Sequence, residues 1–272
     1  MITRTNCSPC RRIREPKIIL QEDLVDKRTR TILQESLVDK RTKIILQKGL
    51  VDMATRFERQ MDELHVEMIK MGSLCEKAIS LSAKAILEHE ESTVQQVFAV
   101  EKEIDEKERE IERICISLLL HQHPVARDLR AVSTAMRMIS DMERIGDQAA
   151  DIADLSRYVD THVTDIPAFV EQMAKYTVKM VTESIDAFVK KDLELCRKVI
   201  KDDDLVDEEF NNAKENLVEL LGAKGLDIMA GLDLLMTAKY FERIGDHAVN
   251  IAEWVEFSIT GRYKDEGGNS LG

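Results

Sequence analysis

The sequence predicts an all-α protein: two tandem three-helix bundles related by internal duplication, six long helices in all. Three observations predict it. The composition is that of long helices: 4% aromatic, 33% charged, and only 11 Gly and 4 Pro in 272 residues. From Met53 onward, apolar residues recur at helical spacing through long runs free of breakers. One segment then occurs twice. Glu143-Arg-Ile-Gly-Asp147-Gln-Ala-Ala-Asp151-Ile-Ala153 matches Glu242-Arg-Ile-Gly-Asp246-His-Ala-Val-Asn250-Ile-Ala252 at eight of eleven positions, offset by 99. Upstream, Glu101-xxx-Asp105 matches Asp203-xxx-Asp207 at an offset of 102. The difference of three residues fits a shorter turn in the later copy.

The pattern places helices at about 55–89, 93–120 and 125–160 in the first copy. In the second they fall at about 168–190, 192–221 and 226–260. A turn is expected at His121-Gln122-His123-Pro124, and another between Gly222 and Gly225. Asp165 and Pro167 read as the cap and first turn of the fourth helix. The organisation that follows is an extension at 1–52, bundles at 53–162 and 163–261, and a polar tail at 262–272.

The extension differs from the rest. Residues 1–52 carry 12 basic and 7 acidic residues, net +5, whereas 53–272 are net -17. Residues 18–30, 31–43 and 44–56 are near copies built on ILQ and LVD. Thirteen residues do not return a helix to one face, so these repeats have no consistent side to bury. They read as a non-core segment, with Met53 as a candidate native start.

Several classes are excluded. The acidic body has no electrostatic footprint for nucleic acid. The longest apolar run, near Ile114–Leu120, is too short to span a bilayer. No secretory segment is visible, which makes the cytoplasm the expected location. P-loop, nucleophile-elbow and Rossmann signatures are absent, so no enzyme activity is expected. Cys75, Cys115 and Cys196 sit singly in helical patterns as ordinary reduced thiols. The Cys7/Cys10 pair lacks the partners a zinc site needs.

The candidate site is a set of acidic rows. On a helical wheel Glu143, Asp147, Asp151 and Asp154 share one stripe, with no Lys or Arg in it. Glu242, Asp246, Asn250 and Glu253 repeat it. Glu101 and Asp105, joined by Glu108 and Glu112, form a row on the second helix, and Asp203 and Asp207 one on the fifth. Oxygen ligands at i and i+4 on neighbouring helices can surround a divalent ion. The rows lie opposite the apolar face, so such a site would be open and surface-facing; a solvated charged face is the plain alternative. Gly146 and Gly245 recur inside the two copies, which points to close helix approach or backbone access for a ligand. His247 lies off the stripe and reads as a surface histidine, and Met136, Met138, Met142 and Met236 as packing or interface residues.

The doubled Glu-Arg-Ile-Gly-Asp motif, with Met71-Gly72 ahead of Ala78-Ile79, resembles the PhoU family of phosphate-signalling regulators over about residues 53–260. The resemblance implies a cytoplasmic, often homodimeric protein of two three-helix bundles. It implies as partners the ATPase of the Pst phosphate transporter, PstB, and the sensor kinase PhoR. The implied role is restraint of phosphate uptake and of the phosphate-starvation response. It also implies metal clusters, iron or zinc with Mg or Mn as alternatives, on Glu101, Asp105, Glu143, Asp147, Asp151, Asp203, Asp207, Glu242, Asp246 and Asn250. Asn250 is a poorer ligand than the carboxylate it replaces. The rival readings are a metal-binding scaffold for other partners and a di-metal carboxylate oxidase. The oxidase lacks support: no His follows a Glu at i+3.

Overall fold

The computed structural model describes residues 40–121, 126–159, 168–223 and 227–262, with side chains from Arg56 onward. Residues 56–272 form one compact unit, and residues 1–55 another. Six helices are described: α1 (Lys40–Glu88), α2 (Glu91–His121), α3 (Ala126–Leu155), α4 (Phe169–Lys190), α5 (Leu193–Ala223) and α6 (Ile228–Thr260). No strand occurs among the described residues.

Three helices show why the chain folds this way. Buried positions on α1 run Leu64, Met68, Met71, Cys75, Ala78, Ser82 and Ala85, an alternation of four and three residues. On α3 the same alternation gives Ala135, Ile139, Met142, Gly146, Ala149, Ala153 and Ser156. On α6 it gives Leu234, Ala238, Phe241, Gly245, Ala248, Ala252 and Val255, the α3 set displaced by 99. A 3.5-residue repeat keeps one seam facing its neighbours over the ~50 Å of a 33-residue helix.

The connections repeat as well. His89 (φ 53°) links α1 to α2 and Lys191 (φ 54°) links α4 to α5, the same left-handed position in each copy. Asp192 then caps α5, its Oδ1 accepting from the Glu194 and Leu195 amides at 3.0 and 3.1 Å. Asp227 caps α6, accepting from Met229 N and Ala230 N at 2.9 and 3.2 Å. Gly261 (φ 72°) ends α6.

Some expected boundaries change. Helix α1 begins at Lys40, well before residue 55. Residues 40–54 contain no Pro, and extending an existing helix is far easier than nucleating one. Helix α3 stops at Leu155, short of 160. There the Arg157 and Tyr158 amides donate to the Asp154 and Leu155 carbonyls at 3.2 and 2.9 Å, a tightened final turn. Helix α5 runs through Gly222, and residues 224–226 lie outside the described set. The expected Asp165–Pro167 cap, the Gln122–Pro124 part of the first turn and the repeats before residue 40 lie outside it too. Ala168, at the α4 N-cap, makes no side-chain cap bond.

The two copies meet along an antiparallel α3–α6 seam. The Arg137 guanidinium stands over the Trp254 ring, 5.5 Å from its centroid. Asp141 Oδ1 accepts from Asn250 Nδ2 at 3.2 Å, and Tyr240 hydrogen-bonds Asp151. Those last two contacts are the same pair seen from either copy, since Asp141 and Asp151 displaced by 99 become Tyr240 and Asn250. A local two-fold therefore relates the bundles. Helices α1 and α4 also touch: Thr182 Oγ1 donates to Glu76 Oε1 at 2.8 Å, and His65 meets Phe188 edge-on at 5.4 Å.

Candidate functional site

The two glycines of the repeated motif position the acidic rows. A Cβ on Gly146 would stand 3.0 Å from Ile104 Cδ1, so α2 sits against the α3 backbone there. A Cβ on Gly245 would stand 3.1 Å from Asp203 Oδ1 and 3.4 Å from Val206 Cγ1. Ile104 and Val206 are equivalent at the 102 offset, so both copies use the glycine for the same close approach.

That approach brings the rows face to face. Glu101 on α2 feels Asp147 on α3, and Glu143 feels Glu108 and Asp105. In the second copy Asp203 on α5 feels Asp246 and Glu242 on α6. Partial burial is the larger cause and like charge the second in raising the carboxyls of Glu101 and Glu143 above their ordinary values. Asp203 is pushed up to about 6, by burial first, then by Asp207, Asp246, Glu242 and Asp204. Asp105, Asp147 and Glu242 are half-buried at the surface, while Asp151, Asp207, Asp246 and Asn250 are exposed.

Basic side chains reach the rows, contrary to the expectation of rows without partners. Arg144 Nη1 lies 3.0 Å from Asp147 Oδ2, and Arg144 Nε 3.4 Å from Glu143 Oε2. Arg109 pairs with Asp105 at 2.9 Å, Arg157 with Asp154 at 2.6 Å, and Lys239 with Glu242. A wheel records where Cα–Cβ bonds point; an Arg or Lys up to about 100° away still folds its long stem back onto the stripe.

His247 also departs from expectation. It is not a free surface residue: its Nδ1 lies 2.9 Å from Asp141 Oδ1 across the α3–α6 seam. Asp151 is shared, lying beside Asp147 in its row while facing Tyr240 and Arg243 across the seam. Asp141, Tyr240 and Arg243 were not singled out in the sequence; the pairing of positions across a two-fold is what relates them.

The rows carry donors suited to a hard or borderline divalent ion. Among the described residues, no group of three or more His, Cys, Asp or Glu is gathered to hold an ion. Met138, Met142 and, among the described cysteines, Cys75, Cys115 and Cys196 are buried, and the Cys75 and Cys115 thiols are pushed up by burial, which leaves them unreactive.

The α2/α3 and α5/α6 faces are not identical. Glu108 and Glu112 extend the first row toward the hairpin end. Their counterparts are Phe210 and Lys214, and the Lys214 and Lys239 ammoniums sit 4.7 and 5.5 Å from the Phe210 ring centroid.

Comparison with known proteins agrees with this architecture. The PhoU domain model matches residues 68–156 and 170–255, one match per bundle. A phosphate-specific transport system accessory protein PhoU homolog of Clostridium acetobutylicum is 33% identical over 77% of this chain and 96% of its own. The Escherichia coli protein of that name is 25% identical over 79% and 90%. The crystal structure of PhoU from Pseudomonas aeruginosa superposes with a TM-score of 0.70 at 30% identity, over 76% of this chain and all of that one. PhoU from Streptococcus pneumoniae, at 23% identity and a TM-score of 0.69, shares the fold. With the family model matched once on each bundle, and the repeated motif near the C-terminal end of both matches, the chain belongs to the PhoU family.

Proposed function

We propose that the protein is a non-enzymatic regulator of phosphate uptake and of the phosphate-starvation response. In this reading it is a helical adaptor between a PstB-like transporter ATPase and a PhoR-like sensor kinase, acting in the cytoplasm as a homodimer. The observation that carries the reading is family membership across both bundles, with relatives named as accessory proteins of phosphate-specific transport. Two further features support it. The bundles present two related but unequal charged faces, which gives two partners different charge patterns to recognise. No described helix is long and apolar enough to cross a membrane. The test is a pull-down of the full chain with the transporter ATPase and the sensor kinase of its own cell. Capture of both supports the adaptor; capture of neither removes it.

A second reading is surface cation binding by the facing rows, favoured by their recurrence in both copies. Elemental analysis of protein purified without a metal-affinity tag, before and after exposure to iron, zinc, magnesium or manganese, decides it. Less than about a tenth of an equivalent of any of them would leave a plain scaffold.

A further inference from the structure

On α2, one stripe changes chemistry along its length. Glu101, Asp105, Glu108 and Glu112 are followed on the same face by Ile116 and Leu120, which are 41% and 68% exposed. Across the hairpin, α3 contributes Leu129, 47% exposed, then exposed Ser140, then Glu143 and Asp147. The face therefore has apolar side chains in water at the hairpin end and six carboxylates beyond them. Arg109 and Arg144 offset two of those charges from the flank. Burial and the neighbouring Asp105 and Glu112 raise Glu108, as expected where like charges share a face.

The second copy also exposes apolar residues at the equivalent end, Val218 and Ile228, each 69%. Its face then turns basic at Lys214 and Lys239 before the acids begin. Of the two faces, only the α2/α3 one carries acids, Glu112 and Glu108, at the positions next to its apolar end, with Arg109 and Arg113 beside them.

We propose that the α2/α3 face is the docking surface for a basic amphipathic helix of a partner protein, its apolar turn on Ile116, Leu120 and Leu129 and its Lys and Arg side chains along Glu112, Glu108, Asp105 and Glu101. Charge complementarity selects the occupant. Contiguous apolar anchors at one end fix its register, as helix-in-groove recognition requires. The stretch from Glu101 to Leu120 is about 28 Å of helix, the length of a partner helix of roughly 20 residues. This inference rests on the adaptor reading and assigns the adaptor one of its two contact faces.

The probe is a synthetic 20-residue helical peptide with Leu at two positions of its first turns and Lys or Arg along the same face thereafter. Fluorescence anisotropy against the full chain reads its binding. The wild type is expected to bind with an affinity that falls steeply with salt. Leu120→Asp, and Glu108→Lys with Glu112→Lys, are each expected to weaken binding at least tenfold. Val218→Asp, at the second-copy counterpart of Ile116, is expected to leave it within twofold. All these positions are exposed or half-buried, and unchanged circular dichroism and melting verify the fold. Binding unaffected by the charge reversal, or lost equally in Val218→Asp, overturns the proposal. The same variants in the pull-down separate the two claims. If the wild type captures the partners and the α2/α3 variants capture both as well, the docking face is wrong and the adaptor stands. If the wild type captures neither, the adaptor itself fails.

Discussion

Asp203→Asn should make the protein more stable near neutral pH, although it removes a charged residue of the repeated motif. In the folded state the Asp203 carboxyl is raised from 3.8 to about 6 by burial and four acidic neighbours. A rise of about two units corresponds to roughly 3 kcal/mol. Solvent screening at a half-buried site reduces it to about 1–2 kcal/mol. The sign follows from linkage. A carboxyl with a raised folded pKa binds its proton more tightly in the folded state, so stability is highest below the unfolded value and falls as pH rises from about 4 to 6. Asn keeps the shape that fits beside Gly245 and removes the charge. In chelator, at pH 7.5, the variant should melt about 2–8 °C higher, given roughly 2–4 °C per kcal/mol for a unit of this size. At pH 4 the two proteins should melt together. A variant less stable at pH 7.5, or a gain unchanged at pH 4, would refute the like-charge account.

Gly146→Leu should destabilise the first bundle by about 1–3 kcal/mol through overpacking against Ile104, whose Cδ1 is already 3.0 Å from a modest Cβ, as a melt will show. Asp227→Ala should cost about 1 kcal/mol by leaving the Met229 and Ala230 amides uncapped, measured by chemical denaturation. Burial, then Lys191, lowers the His65 pKa, with Asp62 opposing. Its neutral form is thus favoured by folding, and stability should fall as pH drops through about 6.5 and below; His65→Gln should flatten that slope in melts from pH 8 to 5.

Much of this architecture is legible in the residues because helix packing is written in a local period. The alternation of four and three at Ala135–Ser156 and again at Leu234–Val255 needs only one helix at a time to be seen. Gly146 and Gly245 are readable for a similar reason: a mid-helix glycine is unfavourable alone, and its recurrence demands a neighbour. Contacts that depend on two helices were beyond that reach. The Asp141–His247 pair joins residues 106 apart, and nothing at either position signals the other. The Arg144 and Lys239 pairings hinge on how long side chains bend, which Cα geometry leaves open. The difference between Glu108/Glu112 and Phe210/Lys214 becomes visible only once α2 and α5 are aligned at the 102 offset and their exposed faces are compared.

The most direct test of the functional account is a strain lacking this gene, grown in abundant phosphate with a reporter of phosphate-starvation genes. The account predicts that the reporter turns on in the deletion and is silenced again by the full chain supplied in trans. Continued repression in the deletion, with phosphate uptake unchanged, would contradict it.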